Sequence, residues 1–148
     1  MNADYGELLR ALLPEALLVA TAFLIVSLDL VWGRGRSREG RLQMAVLMGA
    51  LGVIAAGVVI CQDGVLGFVW DGTLNFDRLA ISVRVGVLVL TGLSLLGTLG
   101  GRGTDQPAEY VALVLLATIG FLQMAVARNL LMAFLGLELA SLSLYVLA

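Results

Sequence analysis

The sequence predicts an all-α, polytopic membrane helix bundle with about five transmembrane helices, in a single membrane domain. Three observations predict it. The chain of 148 residues is 60% hydrophobic and only 14% charged, whereas a soluble domain carries about 25% charged residues. Its apolar residues gather in runs of about 20, the length that crosses a hydrocarbon core of roughly 30 Å. These runs do not alternate as the strands of a membrane barrel must. Each therefore has to satisfy its backbone hydrogen bonds internally, as a helix.

The runs cover residues 12–32, 42–60, 79–99, 110–127 and 130–148. The first is preceded by Asp4, Glu7 and Arg10 and is too long for a cleaved signal peptide. Its arginine cluster follows it rather than precedes it, which also argues for an uncleaved helix. Glu15, just after Pro14, suits a helix N-terminus. Asp29, at the other end, is expected to pair with the arginine loop holding Arg34, Arg36, Arg38 and Arg41. In the second run, Ala45/Gly49 and Gly52/Ala56 have the small-xxx-small spacing that lets helices approach closely. Ordinary packing explains it.

The connection over 61–76 contains Gly67-Phe68-Val69-Trp70 followed by Asp71-Gly72, a strand and tight-turn pattern that predicts a small hairpin. Trp70 would suit the interfacial aromatic belt. The third run holds Arg84. The glycines 97, 100, 101 and 103 after it read as a flexible loop, not a phosphate cradle. In the fourth run, Thr118 and Gln123 are candidates for hydrogen bonds to neighbouring helices. Arg34, Arg36, Arg38, Arg41 and Arg102 fall on one side of the membrane, and Arg10, Arg78 and Arg128 on the other. The excess predicts that the first side is cytoplasmic and the N-terminus outside.

Composition also excludes chemistry. The chain has no histidine, one cysteine and nine basic residues, all arginine. Imidazole metal sites, Ser-His or Cys-His nucleophile pairs, internal disulfides and Cys-x-x-Cys sites are ruled out. Without lysine there is neither a Schiff base nor a P-loop. A net charge of −2 offers no basic face for a nucleic acid.

What remains informative is charge at bilayer depth, which costs at least about 2.5–3.5 kcal/mol per residue and marks a partner, a cavity or an ion path. Glu138 lies about 13 Å into the fifth span at 1.5 Å per residue, near the bilayer midplane. Ser141 and Tyr145, three and seven residues on, share its face. A carboxylate on a polar stripe, toggled by a movable partner charge, loads and releases a proton; a static pair that fixes packing is the alternative. Arg84, near the start of the third span, has two readings: snorkelling outward or a buried charged partner.

The fifth span, with Phe134-Leu135-Gly136-Leu137-Glu138-Leu139 and then Ser141-Leu142-Ser143-Leu144-Tyr145-Val146-Leu147, resembles the fifth helix of the antiporter-like subunits of respiratory complex I. Leu12-Leu13-Pro14-Glu15, Asp29-Leu30, Asp77 with Leu79-Ala80 and Arg84, Glu109-Tyr110 and Asn129-Leu130-Leu131 resemble the same family's motifs in order. The likeness covers essentially the whole chain and is most specific in the fifth span. A proline common in the family just before the Tyr145 position is absent, its stretch being Leu142-Ser143.

The resemblance implies a proton-translocating membrane subunit of NADH:quinone oxidoreductase, in the bacterial inner membrane among other membrane subunits. Glu138 would carry the proton against a lysine on a later helix. Quinone reduction elsewhere in the complex would drive it. The chain itself would hold no cofactor: NADH, flavin, iron–sulfur clusters and quinone belong to the whole complex. Family members have many more helices, and the fifth span ends without a polar flank. The expectation is thus the N-terminal part of a longer protein. Alternatives are a subunit of a multi-subunit cation/proton antiporter and a structural or assembly membrane module.

Overall fold

A computed structural model describes residues 5–32, 35, 37–62, 67–69, 74–99 and 106–148. Six helices and one two-stranded hairpin follow in order: α1 Tyr5–Ala11, α2 Leu13–Trp32, α3 Arg38–Gln62, β1 Gly67–Val69, β2 Leu74–Phe76, α4 Arg78–Thr98, α5 Pro107–Val126 and α6 Leu130–Leu147. Five of them, α2 to α6, are long and apolar enough to cross a membrane. At 20 residues, α2 extends about 30 Å, the thickness of a hydrocarbon core.

The expected spans agree with the helices, with differences at the ends. α3 begins at Arg38 rather than 42, because its first turn is polar and apolar patterning does not register it. α5 begins at Pro107 rather than 110; proline at the first helical position loses no intrahelical bond, since that N–H has no partner anyway. α1 was not expected, being short and charged. It stops at the turn at Leu12, and α2 begins at Leu13 with Pro14 as its second residue. Among the described residues, side chains cap three starts, with Ser37 accepting from the Gly40 N–H at 3.4 Å ahead of α3. Asp77 accepts from the Ala80 N–H at 2.6 Å ahead of α4, and Asn129 from the Leu131 N–H at 3.1 Å ahead of α6. Each satisfies an N–H that the helix itself cannot.

The expected hairpin is present: β1 and β2 pair antiparallel, Gly67 opposite Phe76 and Val69 opposite Leu74. Leu74 also bridges to Ala127, which brings the hairpin against the α5–α6 turn. α1, the hairpin and that turn thus share one end of the bundle. Trp70, Asp71 and Gly72 lie outside the described residues. So do Asp4, Asp63, Arg34, Arg36, Arg102 and the glycines 100, 101 and 103.

α5 is the central helix, packing against α2, α3, α4 and α6. Leu18 and Ile25 of α2, Val46 of α3, Leu95 of α4, and Val111, Leu115 and Leu122 of α5 form the core. The small residues of α3 serve close packing, as their spacing suggested. A Cβ at Gly52 would stand 2.7 Å from the Thr21 side chain, and one at Gly49 2.8 Å from Val111. A tighter approach joins α5 to α6. A Cβ at Gly120 would come within 2.6 Å of the Gly136 carbonyl oxygen and 2.7 Å of the Ala140 backbone nitrogen. Only glycine fits at that crossing, which sets the rotation of α6.

Candidate functional site

That rotation decides where the polar groups of α6 go. Gly136, Ala140 and Ser143 are buried against the bundle. Ser143 donates its hydroxyl to the Leu139 carbonyl at 2.8 Å. Glu138, Ser141 and Tyr145 are exposed, Tyr145 at 83%. They form the stripe their spacing implied, and it faces away from the other helices. Glu138 is the ninth residue of the 18-residue α6, halfway along it.

Arg84 goes elsewhere. It does not snorkel: it is 3% exposed and its partner is Glu15, not Glu138. The Arg84 Nη2 donates to Glu15 Oε1, and the guanidinium lies 5.3 Å from the Phe76 ring centroid on β2. A cation over an aromatic face is attracted by the ring quadrupole. One side chain therefore ties α4 to α2 and to the hairpin. Its partners, Glu15 on α2 and Phe76 on the hairpin, hold the guanidinium inside the bundle, so the outward reading fails.

The place of Glu15 at a helix N-terminus does not by itself reveal this pair. A signal was available. The first and third spans run the same way through the membrane, so Glu15 and Arg84, each near the start of its helix, lie toward the same face. Opposite charges at similar depth are natural partners.

The expected pairing of Asp29 with the arginine loop is found at Arg41. Its Nε and Nη2 donate to Asp29 Oδ1 and Oδ2 at 2.7 and 2.5 Å, a two-point contact linking the end of α2 to the start of α3. The side chains remain 20–28% exposed. Within the bundle, the Thr91 and Thr118 hydroxyls lie 2.8 Å apart between α4 and α5. Each also lies within 2.9 Å of the carbonyl four residues back in its own helix, so one hydroxyl donates to its carbonyl and accepts from the other. The Gln123 Oε1 is buried without a hydrogen-bond partner. Gln123 borders a largely apolar cavity of about 270 Å³ between α5, α6 and the hairpin, with Leu74, Met132 and Gly136. Among the described residues, no three metal-ligating side chains stand together.

Long apolar helices with ionisable groups buried and paired at one end, and one carboxylate halfway along an outward-facing stripe, define a multi-pass membrane helix protein with charge at bilayer depth. Along nearly its whole length, this chain is similar to an N-terminal portion of subunit N of NADH-quinone oxidoreductase. The subunit from Azorhizobium caulinodans is 35% identical over 143 residues, which is 95% of this chain and 29% of the relative. Subunit N 1 from Symbiobacterium thermophilum is 38% identical over 139 residues, 90% of this chain and 27% of the relative. NAD(P)H-quinone oxidoreductase subunit 2 from a Picosynechococcus species is 30% identical, over 93% of this chain and 26% of the relative. The chain spans between about a quarter and a third of the length of these relatives. No protein-family model matches it. The family resemblance drawn from the fifth span and the ordered motifs thus agrees with the relatives.

Proposed function

We propose that this chain is part of a proton-translocating membrane subunit of NADH:quinone oxidoreductase, in which Glu138 carries a proton through the membrane. The observation that supports this most is the placement of Glu138. It sits halfway along α6 on the exposed stripe with Ser141 and Tyr145, while the small residues of α6 do the packing. A carboxylate held only for packing between these helices would face Gly120 and Met124, where Gly136 and Ala140 stand instead. Free of that duty, Glu138 is available to a partner charge outside the five-helix unit. A partner that moves would switch its proton affinity.

In this reading the redox chemistry belongs to other subunits, and this chain binds none of the NADH, flavin, iron–sulfur or quinone groups. Its partners are neighbouring membrane subunits and lipid, in a bacterial inner membrane. Five arginines against three support an outside N-terminus, which puts the hairpin and the Glu15–Arg84 pair on the outer side. The test is Glu138→Gln in the full-length subunit of the assembled complex, with proton pumping measured during NADH oxidation. Fewer protons moved per NADH are expected. Unchanged stoichiometry and rate would remove Glu138 from the mechanism.

A further inference from the structure

The Glu15–Arg84 pair is incomplete as the protein alone supplies it. Arg84 and Glu15 are 3% and 4% exposed, and one hydrogen bond joins Nη2 to Oε1. The Nε–H of Arg84 and the Oε2 of Glu15 are both buried with no hydrogen-bond partner. Each is a polar atom on a charged group, the costliest kind to leave unmet. An ion pair taken out of water is favourable only when its remaining donors and acceptors are also satisfied.

A small cavity lies beside the pair. It measures about 20 Å³ and is lined by Arg10, Pro14, Val59, Phe76, Ile81 and Arg84. Glu15 reaches the cavity through its neighbours: Pro14, the residue before it, and Arg84, its ion-pair partner, both line the wall. One water needs about 10–15 Å³ by this measure, together with at least two polar partners. The space suits one water and is too small for a phosphate or a lipid headgroup. Arg10, on the cavity wall, is exposed, so the cavity borders the aqueous end of the bundle.

We propose that this cavity is a binding site for a single water molecule, which accepts a hydrogen bond from Arg84 Nε and donates one to Glu15 Oε2. The water closes the ion pair into a ring and satisfies both orphaned atoms at once. Arg84 then holds Glu15, the water and the Phe76 face together, so the site fixes the hairpin against α2 and α4. None of this depends on the role of Glu138.

The test is a cryo-electron microscopy map of the full-length chain in its assembled complex, at a resolution that shows ordered waters elsewhere in the membrane region. The expected result is a density peak within about 2.7–3.2 Å of both Arg84 Nε and Glu15 Oε2. An empty cavity in that map, or one filled by a side chain, overturns the proposal. A map of Glu15→Leu should lose the peak, and a peak persisting there would refute the bridge. If that variant does not assemble, the unaltered protein decides the matter.

Discussion

Glu15 and Glu138 are both carboxylates on strongly apolar helices, and the fold treats them in opposite ways. Glu15, third residue of α2, is 4% exposed and held by Arg84. Glu138, ninth residue of α6, stands on the exposed side of its helix. The energetic problem is the same: a charge removed from water needs compensation. Inside the bundle the compensation is built in, from a guanidinium and an aromatic face. On α6 the described helices supply none. A buried pair held inside the bundle stabilises structure, whereas a carboxylate left open to a changing environment can take part in transport.

The sharpest way to break this comparison is to remove one side of the buried pair. Arg84→Met should lower the unfolding free energy of the full-length chain by about 3–5 kcal/mol, since it leaves the Glu15 charge buried alone. Reversible unfolding in bicelles checks it. Changing both partners, Glu15→Leu with Arg84→Met, should restore most of that loss, because an apolar pair of similar volume leaves nothing unmet.

The next effect concerns what turns Glu138 outward. Gly120→Val puts side-chain atoms where the Gly136 carbonyl and the Ala140 nitrogen stand. It should cost about 1–3 kcal/mol as overpacking, and should loosen α6 first, seen as faster amide exchange in α6 than in α2 to α4. Asp29→Asn weakens a pair that is partly exposed and should change stability by less than about 1 kcal/mol. Smallest of all on the fold is Glu138→Gln, whose side chain stands on the exposed side of α6. Its unfolding should match that of the unaltered chain, although its proton pumping should fall. A large loss of stability in Glu138→Gln would put the residue in the packing class with Glu15.

Much of this was legible beforehand. Five spans followed from run length, the hairpin from Gly67-Phe68-Val69 and its turn residues, and the Asp29 contact from the neighbouring arginine loop. These are local patterns or pairs close in sequence. The destination of Arg84 was not legible in the same way, because its partner lies 69 residues away. Nor was the role of Gly120 and Gly136, which sit on different helices and look like any glycine in a membrane span. α5 and α6 make the point together. Their mean hydropathies of 1.8 and 2.0 are nearly equal, yet half of α5 is buried and 17% of α6.

The sequence by itself determined the solvent and the elements. Composition and run length specify helices that span a membrane, because the polar backbone must close its own hydrogen bonds in an apolar surrounding. It also placed Glu138, Ser141 and Tyr145 on one side of a helix, since helical periodicity is a property of the chain alone. Only the tertiary structure decided which side faces in. In lipid, helices are as apolar outside as inside, so hydrophobicity gives no direction and close packing at small residues chooses the rotation. The Gly120–Gly136 crossing made that choice for α6. The meeting of α2, α4 and the hairpin turned Arg84 from a residue with two readings into the buried partner of Glu15.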